Sequence, residues 1–133
     1  MTNRKFSSAI IYWLPAIGYM GLIFFLSSLP SHELKISKEI PDYILHVIEY
    51  FLCCIFLLLG YAKGIKEHFT KKAYFIAVII STLYALSDEF HQSFVPTRDA
   101  NIRDIAADII GSLLAAGIIY LFIHHKKFSL KVR

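Results

Sequence analysis

The sequence predicts an all-α, polytopic membrane protein: four transmembrane helices in a compact bundle, both termini cytoplasmic. Three observations carry that expectation. The 133 residues are 56% hydrophobic and 18% charged, with a mean hydropathy of +0.55, a balance that would leave a soluble domain of this size with too much apolar surface. Four apolar runs approach or exceed the roughly 20 residues a bilayer requires. The charges collect at the ends of those runs. No linker, repeat or low-complexity tract divides the chain, so residues 1–133 form a single integral membrane domain.

The first span covers about 8–29 and includes Pro15, Gly18 and Gly21. Arg4 and Lys5 precede it in the manner of a signal peptide. Its apolar stretch is longer than a signal core and no small-x-small cleavage site follows, so it reads as a retained helix kinked near Pro15. The second span covers about 42–61, the third 73–91 and the fourth 104–123. Pro96 stops any continuation of the third, and Asn101 three residues before Asp104 marks an N-cap followed by acid in the first turn.

Basic residues set the orientation. The side holding both ends of the chain and the 63–72 loop carries ten Lys and Arg; the other side carries four, Lys35, Lys38, Arg98 and Arg103. The bias places both termini in the cytoplasm and the acid-rich face outside the cell membrane. Although the net charge is +4, its placement at span ends argues for a membrane and against nucleic acid as partner. Cys53 and Cys54, adjacent within an apolar run, read as packing residues and not as a disulfide. Ser27 and Ser28 read as backbone-bonded groups at the end of the first span. His124 and His125, beside Lys126 and Lys127, read as residues of the cytoplasmic interface.

The candidate site lies between Ser87 and Asp108. On the second span Asp42, His46 and Glu49 fall on one face by their i, i+4, i+7 spacing. On the third, Ser81, Tyr84, Asp88, His91 and Gln92 share a stripe, with Glu89 offset from it. On the fourth, Asp104, Asp108, Gly111 and Ala115 share a face, and Gly111, Ser112, Ala115 and Ala116 permit close helix approach. Seven of the ten acids, Asp42, Glu49, Asp88, Glu89, Asp99, Asp104 and Asp108, gather here with two arginines and two histidines. Such a surplus is relieved by protonation, by a bound cation or by a cationic ligand.

Two mechanisms fit. In an enzyme, His46, Asp88, Glu89, His91 and Asp108 would be the acid, base or metal-ligating groups, a divalent metal being one candidate cofactor. Asp42, Glu49, Gln92, Arg98, Asp99, Arg103 and Asp104 would contact the substrate, with the arginines on an anionic headgroup. In the alternative, the chain is a non-catalytic binding or scaffold module that recognises a lipid, drug or partner protein. Asp88, Asp104, Asp108 and Arg103 also suit a plain inter-helix ion-pair network; Arg98 and Arg103 are expected to pair with neighbouring carboxylates, a solvated loop charge being the plainer reading of Arg98. Transport would require a homo-oligomer, since four short spans enclose little lumen.

The run Ser87-Asp88-Glu89-Phe90-His91-Gln92-Ser93-Phe94-Val95-Pro96-Thr97-Arg98-Asp99, then Ile102-Arg103-Asp104 and Ala107-Asp108 before Gly111, resembles the signature of the VanZ-like family. Asp42, His46 and Tyr50 are similar to that family's pattern on the second helix. Thr97 stands where the family commonly has glycine, and Glu49 where small or apolar residues are usual. The resemblance covers about 10–123 and implies an integral membrane protein of the bacterial cell envelope. Its namesake is associated with antibiotic resistance of the teicoplanin type, which points to a membrane lipid or lipid-linked envelope precursor as partner.

Overall fold

A computed structural model describes residues 10–31, 40–64 and 69–131, with side chains as far as Ile123. The first two residues of the first expected span, and the side chains of His124 and His125, lie outside these. Four helices follow in order: α1 (Leu14–Ser27), α2 (Asp42–Gly64), α3 (Lys71–Gln92) and α4 (Ile102–Lys131). There is no strand among the described residues. Asp42–Gly64, Lys71–Gln92 and Ile102–Ile123 are long and apolar enough to cross a membrane, and α1 is a shorter apolar helix.

α1 is shorter than its apolar run. A turn at Tyr12–Trp13 precedes it, and Pro15 falls in its first turn. Proline is tolerated there because its missing N–H would have no helical partner anyway. The expected break near Pro15 is present: Ile10 and Ile11 are helical, and the turn at Tyr12–Trp13 separates them from α1. Thr70 caps α3 by accepting the Ala73 amide, and Asn101 caps α4, its Oδ1 accepting the Arg103 amide at 3.0 Å. Cys53 and Cys54 are buried and free.

Polarity is distributed as a lipid solvent demands. Only 33–39% of each long apolar window is buried inside the bundle, so most of its apolar side chains face outward. Phe75, Phe90, Leu121 and Phe122 are among them, each more than two-thirds exposed. The interior combines a few large apolar side chains, Ile23, Tyr50, Leu57 and Leu58, with small and polar groups: Ala77, Ser81, Ala85, Asp88, Gln92, Asp108, Ser112 and Ala115. With hydrocarbon outside, burying a Leu gains little, and tight contact and hydrogen bonds hold helices together.

α2 and α4 make the most extensive contact in the bundle, and Gly111 is where they meet most closely. A methyl group built at Gly111 would fall on the Val47 carbonyl oxygen and 3.1 Å from the Phe51 amide nitrogen. One turn toward the loop end, Asp108 meets His46. Next to this seam Ser81 Oγ of α3 and Ser112 Oγ of α4 share a 2.7 Å hydrogen bond. At the opposite end Gly60 leaves room for the Trp13 ring, 3.1 Å from where its Cβ would stand.

Gly111→Ala should destabilise the fold by about 1–3 kcal/mol through overpacking against backbone. Gly117→Ala, with nothing within 4 Å of its added methyl, should change stability by less than about 0.5 kcal/mol. Unfolding midpoints in mixed detergent micelles compare the two, and equal midpoints would refute the close contact.

Candidate functional site

Hydrogen bonds gather the C-terminal ends of α1 and α3 and the N-terminal ends of α2 and α4 at one end of the bundle. The main element is a buried pair: His46 Nδ1 lies 3.0 Å from Asp108 Oδ1, with the two residues 5% and 1% exposed. It is the only salt bridge among the described residues. A ring nitrogen of His46 and one carboxylate oxygen each from Asp42 and Asp104 lie within 4.8 Å of one another. The i, i+4 pairs on α2 (Asp42, His46) and α4 (Asp104, Asp108) thus face each other across the Gly111 seam, because both helices start at this end and run parallel.

The acids of α3 are engaged differently. Asp88 Oδ2 accepts a hydrogen bond from Gln92 Nε2 at 3.0 Å, while its buried Oδ1 has no partner among the described residues. Glu89 Oε1 accepts the Asn101 amide and so ties the end of α3 to the start of α4. His91 turns to α1: its Nε2 lies 3.0 Å from Ser28 Oγ and its ring stacks on Phe24 with centroids 4.5 Å apart. Asp99 and Arg103 are exposed. The hydroxyls of Ser27 and Ser28 both donate to the Phe24 carbonyl.

Arg98 is not paired with a carboxylate. Its Nε donates to the Leu29 carbonyl and its Nη2 to the Leu26 carbonyl, each at 3.0 Å. The Leu26 carbonyl also accepts the Leu29 amide at 3.2 Å, so the guanidinium adds a second donor there and caps the Leu29 carbonyl just beyond the helix. Beside it Ser31 and Thr97 form a double link: the Ser31 amide donates to Thr97 Oγ1 at 3.1 Å, and Ser31 Oγ donates to the Thr97 carbonyl at 2.7 Å. Thr97 has φ 67°, the one positive φ at a non-glycine residue among those described. The position where glycine is usual is thus held left-handed here by a β-branched residue.

Between α1, α2 and this loop lies a cavity of about 380 Å³. Asp42, His46, Glu49, Gln92 and Arg98 supply its polar wall, and Tyr19, Leu26, Leu45 and Ile48 most of its apolar one. Of the residues singled out in the sequence, these five polar ones and Ser27 converge on the cavity. Asp104 and Asp108 lie next to His46 without lining the cavity. Asp88, Glu89, His91, Asp99 and Arg103 do not line it. The apolar wall was invisible in the sequence, where its members are four among many lipid-type residues.

This arrangement defines a small helical membrane protein with a half-polar, half-apolar cavity at one end of its bundle. The VanZ/LLP1 family model matches residues 12–123, most of the chain, and the chain belongs to that family. No curated protein and no solved structure matches it.

Two predictions follow the geometry. His46→Ala should cost about 3–5 kcal/mol by leaving a buried carboxylate unpaired, and the double change His46→Leu, Asp108→Leu should recover most of that loss. A double variant no more stable than His46→Ala would refute the unpaired carboxylate as the cause of the loss. At Thr97, a left-handed threonine costs of order 1–3 kcal/mol, which Thr97→Gly relieves while losing one hydrogen bond. Thr97→Gly should therefore stay within about 1 kcal/mol of the parent, and Thr97→Val should lose about 1–2 kcal/mol because it keeps the backbone strain and loses the acceptor. Unfolding midpoints of the three chains decide it.

Proposed function

We propose that the cavity binds the headgroup of an anionic envelope lipid or lipid-linked cell-wall precursor in the outer leaflet. Through that binding the protein contributes to teicoplanin-type lipoglycopeptide resistance. The observation that carries the reading is Arg98. Two of its nitrogens are fixed on the Leu26 and Leu29 carbonyls, so its guanidinium is held at the cavity wall with donor capacity left over. A pre-positioned guanidinium suits a phosphate oxygen, and Leu26, Leu45 and Ile48 on the other wall suit the start of an acyl or prenyl chain. The ten-to-four bias of basic residues supports an outward-facing cavity.

Modification of the bound molecule is the second reading, favoured by His46 and Glu49 in the same wall, which are groups able to move a proton. Lipid profiling of a strain lacking the protein separates the two: a new accumulated precursor indicates chemistry, an unchanged profile a binding module.

For the binding itself, anionic lipid retained through purification should fall about tenfold or more in Arg98→Gln, as expected for loss of a charge-assisted hydrogen bond. Leu45→Trp, which fills the cavity without removing a polar group, should have the same effect. Cells expressing either variant should lose any protection against teicoplanin. Full lipid retention by both variants would overturn the reading.

A further inference from the structure

We propose that Asp42, His46 and Asp104 form a divalent-cation site at the mouth of this cavity. The inference deepens the reading above, because it answers an electrostatic difficulty in it. The cavity wall carries Asp42 and Glu49 as well as Arg98, and Asp104 and Asp108 lie next to His46. An anionic headgroup entering among those carboxylates is repelled unless a cation stands between them.

Three of the other acids are already engaged, and of the rest only Asp42 and Asp104 bring a carboxylate oxygen within 4.8 Å of a His46 ring nitrogen and of each other among the described residues. Asp88 is bonded to Gln92, Glu89 to the Asn101 amide, and Asp108 to His46. Asp42 and Asp104 have no hydrogen bond through their carboxylates among the described residues, and each offers an oxygen to the group. The second, independent observation is His46 itself. It is 5% exposed and lines the cavity, its Nδ1 is held by Asp108 at 3.0 Å, and its Nε2 has no partner among the described residues. A carboxylate on one imidazole nitrogen fixes the tautomer and directs the lone pair of the other at a metal.

The geometry is close to what an ion needs. Ligand atoms around a tetrahedral ion at about 2.1 Å stand about 3.4 Å apart, against 4.8 Å here. Rotation of the exposed Asp42 and half-buried Asp104 carboxylates closes that gap. One imidazole nitrogen with two carboxylate oxygens favours Zn²⁺ or Mn²⁺ over Ca²⁺, which takes oxygens alone. Three protein ligands leave a coordination position open on the cavity side, where a phosphate oxygen held by Arg98 would complete the shell.

The test uses the full chain, free of any affinity tag, in detergent. It is stripped with EDTA, loaded with Zn²⁺ alone or Mn²⁺ alone, desalted, and measured for metal by mass spectrometry. About one ion per chain should be retained, and lost in Asp42→Asn, Asp104→Asn. Asp108→Asn should hold the ion 10–100-fold more weakly. Size-exclusion profiles check that each variant is folded, and the single change Asp42→Asn at an exposed position decides the matter if the double variant is not. Equal metal in the parent and in the folded Asp variants overturns the site. Because the metal measurement does not read bound lipid, that result leaves the Arg98-dependent lipid measurement untouched, and a chain that holds metal but no lipid overturns only the earlier reading.

Discussion

Contact between α2 and α4 at Gly111 is the constraint on which the polar end depends. A helix backbone can touch another helix backbone only where one of them lacks a side chain. Gly111 against the Val47 carbonyl supplies that place. Once the two parallel helices meet there, their registers are set, and the residues one and two turns toward their starts must face each other. Asp108 then meets His46, and Asp104 and Asp42 fall on either side of the imidazole. Ser112, next to Gly111, carries the same register to α3 through Ser81. The site is thus a by-product of one close approach, repeated along two helices by their common 3.6-residue period.

α1 is held by other means. It makes fewer contacts with the bundle than α2, α3 and α4 make among themselves, and its C-terminal end is fastened by polar groups. Arg98 holds two carbonyls at and just beyond that end, Ser31 is bonded twice to Thr97, and Ser28 meets His91. Nearer its middle, Tyr84 Oη donates to the Met20 carbonyl at 2.6 Å. The 93–101 loop therefore works as a clasp between α1 and the other helices, and the cavity is the space the clasp encloses. That assigns structural work to His91, which the sequence groups with His46 by charge and depth alone.

The fold class was legible because hydropathy runs, span-end charges and the prolines all report on a single solvent, the bilayer. Helical spacing also placed Asp42, His46 and Glu49 on one face, and Asp104, Asp108 and Gly111 on another. Spacing cannot say which faces meet, since that depends on the hand and tilt of packed helices. His91 and Gln92 show the limit: neighbours in sequence, one stacks on Phe24 and the other turns to Asp88 and the cavity. Arg98 shows another. Guanidinium–carboxylate attraction is the obvious guess in an acidic loop, yet backbone carbonyls at and just beyond the end of α1 claim this side chain. The first span shows a third limit: hydropathy reads apolar residues alike on both sides of Pro15, while the backbone breaks into a turn at Tyr12–Trp13.

The brevity of α1 has a consequence for the surrounding lipid. Fourteen residues at 1.5 Å each make a rod about 21 Å long, against about 30 Å of hydrocarbon and beside helices of 22 residues or more. Lipid next to such a rod must thin, or the rod must sit nearer one leaflet, at a fraction of a kcal/mol per Å of mismatch. The cavity lies beside α1 at its C-terminal end, so a bilayer that thins around this rod would bring its surface toward the cavity mouth. A headgroup there has less distance to travel out of its leaflet than it would beside a full-length span.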